Sequence, residues 1–233
     1  MEFDLSIRAS LHHSIEDAKL YKQKPLPTVQ TPGWTLQNTS DNYYMDDAFY
    51  VLYLSVLNNN GRAHSIGAYP TQISTRAFLS VITSIIKTYG GYLAGISNHG
   101  VTVLFPESNA MSSSQACSCG TMLLEGVINL INPSLKREDI LWTYSCGVGI
   151  SYGKVIGVQT GIDSMQEMIF YGDCILAAAE YSSIMSGQVL VDKTVKESFE
   201  QHIANREATF IPLHDPERHV YRFVSSDSEN NRL

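Results

Sequence analysis

From Ala48 onward, apolar segments with the composition of β-strands alternate with amphipathic segments that have the spacing of α-helices. The first apolar segment, "AFYVLYLSVL", is continuous, as expected of a strand that is central in a sheet or covered on both faces. The next segment, "STRAFLSVITSIIKTYGG", predicts a helix that ends at Gly90 and Gly91. Its apolar face comprises Phe78, Val81, Ile82, Ile85 and Ile86. The alternation predicts an α+β or α/β sandwich in which helices cover a mixed sheet.

The stretch "YGGYLAGISNHGVTVLFP" predicts two antiparallel strands. We expect Asn98, His99 and Gly100 to form the turn, because Asn and Gly accept positive φ, and we expect the His99 side chain to be exposed. A helix through "SSSQACSCGTMLLEGVINLIN" should follow and end at Pro133. The second half predicts a strand pair around "YSCGVGISYGKVIGVQTG", a helix in "GDCILAAAEYSSIMS", a strand "QVLVD", a helix "KTVKESFEQH" and closing strands at "ATFIPL" and "HVYRFV".

Size and charge narrow the class of protein. The chain has 233 residues, 44% apolar residues and a formal net charge of −7 with scattered Lys and Arg, which disfavours nucleic acid as a partner. The charged start of the sequence and the absence of an apolar run of about 18 residues disfavour export and membrane insertion, so we expect a cytoplasmic protein. Its four cysteines are expected to be free thiols.

The first 44 residues differ from the rest. They are polar, with one plausible helix near Leu11 to Tyr21, and continue into "KPLPTVQTPGW", whose three prolines indicate an extended arm. We expect residues 1–44 to form this helix and arm, residues 45–225 to form one domain, and residues 226–233 to be a disordered polar tail.

Four segments together resemble the class III adenylate and guanylate cyclase homology domain, from about Asp47 to Val224. The first is "YGGYLAGISNHGVTVLFP", similar to the hairpin of that family, and the second is "CGVGISYGKVIG", similar to a strand pair. The others are "FYGDCILAAAEYSSIMSGQVLVDKTV" and the closing "FIPLHDPERHVYRFV". The resemblance implies a ferredoxin-like, mixed and mainly antiparallel sheet covered by helices on one face, with Tyr50 to Leu57 as the central strand.

The resemblance also implies a reaction, the attack of the ribose 3′-hydroxyl on the α-phosphate of a nucleoside triphosphate, assisted by two metal ions on two aspartates. Ser55, or Val56 if the register shifts by one, corresponds to the first aspartate. His99 corresponds to the second, and imidazole is a poor ligand for Mg²⁺. We therefore expect no metal site here.

At the remaining functional positions of the family, this chain also lacks the side chains that the reaction uses. Gly95 corresponds to a base-reading lysine, Ile169 to a base-reading aspartate or threonine, and Leu176 to the asparagine that orients the ribose. Glu180 replaces the arginine that neutralises the transferring phosphate, which reverses a charge that the reaction needs. The positions expected to be degenerate are Ser55, His99, Gly95, Ile169, Leu176 and Glu180.

These replacements suggest a pseudoenzyme without a cofactor, a dimerising regulatory or signalling module in cyclic nucleotide signalling. The resemblance implies head-to-tail pairing, as a homodimer or with another cyclase-type domain. Two alternatives stay open. One is an active cyclase that uses Mg²⁺ and takes carboxylates from Asp46, Asp47 or a partner chain; the other is a ligand sensor that uses the former active-site cleft.

Other motifs have plainer interpretations. Cys117 and Cys119 are two apart on a predicted helix and cannot easily share a metal ion. "YMDD", residues 44–47, resembles the catalytic signature of reverse transcriptases but precedes the first predicted strand, so we interpret it as a charged strand entry. Asp173 is expected to cap a helix, and Lys154 and Arg62 are expected to be solvated.

Overall fold

The computed structural model describes residues 5–19, 37–39, 42–107, 111–160, 167–202, 208–213 and 219–226. The helices are α1 (Leu5–Lys19), α2 (Arg62–Ile66), α3 (Ala68–Thr88), α4 (Ser112–Gly126), α5 (Asn132–Arg137), α6 (Asp173–Ile184) and α7 (Lys193–His202). The strands are β1 (Gln37–Thr39), β2 (Asn42–Val56), β3 (Tyr92–Ile96), β4 (Gly100–Pro106), β5 (Cys146–Thr160), β6 (Glu167–Tyr171), β7 (Val189–Val191), β8 (Ala208–Pro212) and β9 (Tyr221–Ser225).

The described strands form one mixed sheet in the order β3-β4-β2-β5-β7-β9-β8, with β1 beside β2 and β6 beside β5. The pair β5 and β7 is parallel, and the other pairs are antiparallel. The predicted mixed, mainly antiparallel α+β fold is confirmed. The central strand β2 is longer than expected, because it begins at Asn42 and ends at Val56.

The main core lies between one face of the sheet and helices α3, α4 and α7. Leu52, Leu54 and Val56 of β2 point into it and meet the apolar face predicted for α3. Helix α1 covers α3 and adds Ile7, Leu11 and Ile15 to the same core. The N-terminal helix therefore packs against the domain, and it is observed earlier in the chain than the predicted Leu11 to Tyr21.

Helix α6 lies on the opposite face of the sheet, so the expectation of helices on one face was wrong. Its small residues Cys174 and Ala178 contact a second core that contains Phe49, Val51 and Val155. The helix backbone comes very close to β5, since a Cβ placed on Gly149 would lie 2.0 Å from the Ala178 carbonyl oxygen. The glycines in "CGVGISYG" thus make room for a helix. The expected strand pair in that segment is one continuous strand.

Of two predicted helix ends, one is confirmed and the other is wrong. Helix α3 ends as expected, with Gly90 at φ 72° and the Gly91 N–H donating to the Ile86 carbonyl at 3.0 Å. Pro133 does not end its helix, because a π-helical turn over Val127–Ile131 leads into α5, where proline occupies the first turn and needs no N–H partner. Among the described residues, no helix is long and apolar enough to cross a membrane.

Candidate functional site

The two positions that the resemblance assigns to metal-binding aspartates lie side by side where β2 ends against the β3–β4 hairpin. Ser55 pairs with Gly100 and with Gly147, and the Val56 N–H donates to the His99 carbonyl at 2.8 Å. The structure therefore brings Ser55 and His99 to the same end of the sheet.

The Ser55 side chain is committed to a structural contact. It is only 8% exposed, and its hydroxyl donates to the Ser182 carbonyl at the end of α6, 3.0 Å away. The hydrogen-bond donor thus points at the helix backbone. A neutral hydroxyl in this arrangement offers a metal ion far less than a carboxylate does.

The His99 side chain is exposed at the hairpin turn, as predicted. The turn is closed by Ser97, whose N–H donates to the Gly100 carbonyl at 2.8 Å and whose hydroxyl accepts from the His99 and Gly100 N–H groups at 3.2 Å. The expected reason for the turn was wrong, since neither Asn98, His99 nor Gly100 has a positive φ. Gly100 is instead required for space, because a Cβ there would lie 2.3 Å from the Leu54 carbonyl oxygen.

The alternative carboxylates lie at the other end of β2. Asp47 pairs with Val155, whereas Ser55 pairs with Gly147. Eight steps along an extended strand, at roughly 3.3 Å each, separate them by about 26 Å. The "YMDD" segment lies inside β2 rather than before it. Within the described part of the chain, no three His, Cys, Asp or Glu side chains come together as a metal site.

The remaining positions are on surfaces. Gly95 lies on β3 at a bulge, where a Cβ would have only the Thr102 hydroxyl within reach, at 3.9 Å. Ile169 lies on β6 and is exposed. Leu176, which is 71% exposed, and Glu180 point away from the sheet on α6, one helical turn apart. Gly95 and Leu176 therefore have room for other side chains.

Asp173 was expected to cap α6. It is instead the first residue of the helix, and Gly172 occupies the cap position before it. Its exposed carboxylate is favourable in the first turn because of the helix dipole. Gly172 itself is needed for close approach, since a Cβ there would lie 2.5 Å from the Lys154 carbonyl oxygen.

The cysteines are buried thiols in the described structure. Cys117 and Cys119 on α4 are completely buried, and burial raises the pKa of both thiols far above the ordinary value. Burial also raises the pKa of Cys146 to about 12. A raised pKa keeps a thiol protonated, and therefore unreactive and a poor metal ligand.

One polar cluster beside the site was largely missed from the sequence. Arg62, expected to be solvated, donates to the Tyr144 hydroxyl and, at 2.7 Å, to the Thr75 hydroxyl. The Asn59 amide donates to the Asn98 carbonyl in the hairpin turn. The only sequence signal was the polar run "NNNGR" directly after a buried strand, and the partner Tyr144 is too distant in sequence to be inferred.

The fold is that of nucleotide cyclase domains. The adenylyl cyclase CyaB from P. aeruginosa has a TM-score of 0.67 to this chain at 15% identity, over 78% of this chain and 96% of that one. A bacterial light-regulated adenylyl cyclase has a TM-score of 0.65 at 18% identity, over 97% of this chain and 66% of that one. A dimeric guanylyl cyclase domain of the RhoGC fusion protein from the aquatic fungus Blastocladiella emersonii has a TM-score of 0.62 at 11% identity, over 78% and 97%.

By sequence, no protein-family model matches the chain, and the search of curated proteins found no match. The likeness to solved structures thus establishes a cyclase-like fold, and the chemistry has to be argued from the residues themselves.

Proposed function

We propose that the chain is a non-catalytic nucleotide cyclase homology domain that acts as a dimerising regulatory or signalling module. This proposal rests on the side chains at the two positions where metal-binding aspartates are expected. Ser55 is buried and bonded to the α6 backbone, and His99 stands on an exposed turn. Without two carboxylates at this end of the sheet, a metal-assisted attack on an α-phosphate has no anchor.

The cationic group expected to neutralise the transferring phosphate is also replaced. A transition state with growing negative charge on phosphate needs cations, and Glu180 offers the opposite charge at an exposed position of α6. The active alternative would need carboxylates from elsewhere, and Asp47 is at the wrong end of β2 to supply one within the same chain. A catalytic role would therefore depend on a partner chain.

An exposed apolar surface supports dimerisation. Ile156, Ile169 and Tyr171 are exposed, and the register pairs Ile156 with Tyr171 and Val158 with Ile169 on one face of the β5–β6 hairpin. Contiguous exposed apolar side chains commonly mark protein interfaces. We propose that this face pairs with a second copy of the chain, or with another cyclase-type domain.

Two measurements test this proposal. We expect the full chain to be a dimer by analytical ultracentrifugation, and Tyr171→Glu to shift it toward monomer, while Ile211→Glu, which changes an exposed isoleucine of the edge strand β8, leaves it dimeric. A monomeric parent chain, or equal effects of both variants, would contradict the assignment of this surface.

Pairing with an active cyclase domain gives a second prediction. The head-to-tail pairing that the resemblance implies would build each site from the metal-binding residues of one chain and the base- and phosphate-binding residues of the other. A mixed dimer would then lack carboxylates at one site and cationic groups at the other, so adding this chain to an active partner should lower cyclic nucleotide production. A rise in the rate would contradict the argument. An unchanged rate, without association, would leave the homodimer as the proposed unit.

A further inference from the structure

An asparagine followed by a glycine lies in the connection between β2 and α2. The Arg62 N–H donates to the Asn59 carbonyl at 3.3 Å, which closes a β-turn. Asn60 and Gly61 are the central residues of this turn, and both are exposed. Gly61 has φ 76° and ψ 4°, the values of the third residue of a type II turn, where glycine is favoured. Solvent therefore reaches the Asn60 side chain and the peptide bond that follows it.

An asparagine before a glycine is chemically labile, and its conversion needs no enzyme. The backbone nitrogen of the next residue attacks the side-chain carbonyl carbon. A new C–N bond forms, and the C–N bond to the side-chain amide breaks with release of ammonia. Water then opens the resulting succinimide ring at either carbonyl, which leaves aspartate or isoaspartate. The attack is easiest when the next residue is glycine, because glycine has no Cβ in the way.

The backbone nitrogen of Gly61 is available for this attack. Among the described residues, neither its N–H nor the Asn60 side chain has a hydrogen-bond partner. The peptide between the two residues must rotate from its orientation in the turn before the nitrogen reaches the side chain. Glycine accepts both signs of φ, so this rotation meets little steric resistance at Gly61. The turn therefore allows the geometry that the attack needs.

Other asparagines of the same region are protected. Both ends of the Asn58 amide bond to backbone groups of the segment before β5, and the Asn59 amide donates to the hairpin turn. Asn132 is followed by a proline, which has no N–H to react. After Asn98, the N–H of the next residue already donates to the Ser97 hydroxyl at 3.2 Å. A hydrogen bond that must break first slows the attack.

From this comparison we infer that Asn60 is a site of spontaneous deamidation, at which the folded chain gains a carboxylate. Isoaspartate also adds a methylene group to the backbone directly after Asn59, whose side chain donates to the Asn98 carbonyl. The conversion should therefore loosen the contact between the β2–α2 connection and the hairpin turn. This inference does not depend on whether the domain turns over nucleotides.

The test is peptide mapping by mass spectrometry after incubation of the full chain in mildly alkaline native buffer. We expect aspartate and isoaspartate to form at Asn60 at least about tenfold faster than at Asn98, which precedes a residue with a side chain and a bonded N–H. A parallel sample in urea reports the unfolded chain. The inference is overturned if Asn60 converts only in urea, or if Asn98 converts equally fast in native buffer.

A variant tests the protection argument. Ser97→Ala removes the hydroxyl that accepts from the His99 N–H, so conversion at Asn98 should rise several-fold while conversion at Asn60 stays the same. An unchanged rate at Asn98 would show that hydrogen bonding does not determine which asparagine reacts, and would remove the basis of the inference.

The structural effect is measured separately. The converted chain carries an extra negative charge and can be isolated by anion exchange. We expect faster amide hydrogen exchange in the β3–β4 turn of the converted chain than in the fresh chain. Asn60→Ser, which cannot deamidate, is the matched control and should show no change after the same incubation. Equal exchange in the converted and fresh chains would overturn the effect assigned to the hairpin turn.

Discussion

Two groups of positions that the cyclase family pattern picks out behave in opposite ways in this chain. The glycines of β5 are tightly constrained, since Cβ atoms at Gly147 and Gly149 would lie 2.1 and 2.0 Å from backbone oxygens of α6. The positions expected to carry chemistry, such as Gly95 and Leu176, have open surroundings. Residues that position the helix on the sheet are thus held by packing, while Gly95 and Leu176 could be replaced without disturbing the fold.

The largest effect that tests this contrast is expected at Gly149. Gly149→Ala would force α6 away from the sheet, so we expect the free energy of unfolding to fall by about 3 kcal/mol or more, measured by urea denaturation. Gly95→Ala is the matched control and should change it by less than about 0.5 kcal/mol. Similar losses in both variants would remove the distinction between the two groups.

Ser55 belongs to both groups, because the resemblance assigns it to a metal-binding position and its hydroxyl also bonds to α6. Ser55→Asp should lower the free energy of unfolding by about 3 kcal/mol, since it places a buried carboxylate against the Ser182 carbonyl. Ser55→Ala loses only a hydrogen bond and should cost about 1 kcal/mol. An aspartate variant that is as stable as the parent chain, and that binds Mn²⁺, would show that the site still accommodates a metal carboxylate.

The burial of Cys146 predicts that the free energy of unfolding depends on pH in the alkaline range. Burial raises the pKa of Cys146 to about 12, whereas an unfolded thiol titrates near pH 8.5. Below pH 8.5 both states keep the proton; above it only the unfolded state loses the proton, so the free energy of unfolding falls as pH rises.

The slope due to this thiol should approach about 1.4 kcal/mol per pH unit between pH 9 and 11. Urea denaturation at several pH values should show a shallower dependence in Cys146→Ala than in the parent chain. Equal slopes in the two proteins would mean that the thiol is not protected in the folded state.

The smallest effects are expected on the outer face of α6. Leu176→Asn and Glu180→Arg change exposed side chains, so each should alter the free energy of unfolding by less than about 0.5 kcal/mol. Thermal denaturation of the double variant provides the measurement. A loss well above 1 kcal/mol would mean that these residues had acquired a structural role in place of the catalytic one.

The same contrast explains which features were predictable from sequence. The strand β2 and helix α3 were recognisable because large apolar residues follow the periods of strand and helix. The position of α6 was not, because it contacts the sheet through small residues such as Ala178, which give almost no hydrophobic signal. The glycines of β5 resemble turn residues, although their role, close approach of a helix, depends on a contact between segments distant in sequence.

At the site, the identities of Ser55 and His99 could be interpreted directly, because the sequence shows that neither residue is the carboxylate that the resemblance leads one to expect. What those side chains do instead could not be predicted. The bond from Ser55 to Ser182 joins residues 127 positions apart, and the contact of Arg62 with Tyr144 joins residues 82 apart. Such contacts follow from the tertiary fold, so a local pattern does not contain them.

The most direct test of the central claim, that this cyclase-like domain lacks the chemistry of a cyclase, is a turnover assay. The purified full chain would be incubated separately with ATP, GTP, CTP and UTP in Mg²⁺ or Mn²⁺, beside an active cyclase as positive control. Since each tenfold in rate corresponds to about 1.4 kcal/mol of barrier, loss of both carboxylates and of the cationic group predicts a rate equal to that without protein. The claim would be contradicted if the carefully purified chain formed a cyclic nucleotide in a metal-dependent reaction and the Asp47→Ala variant did not.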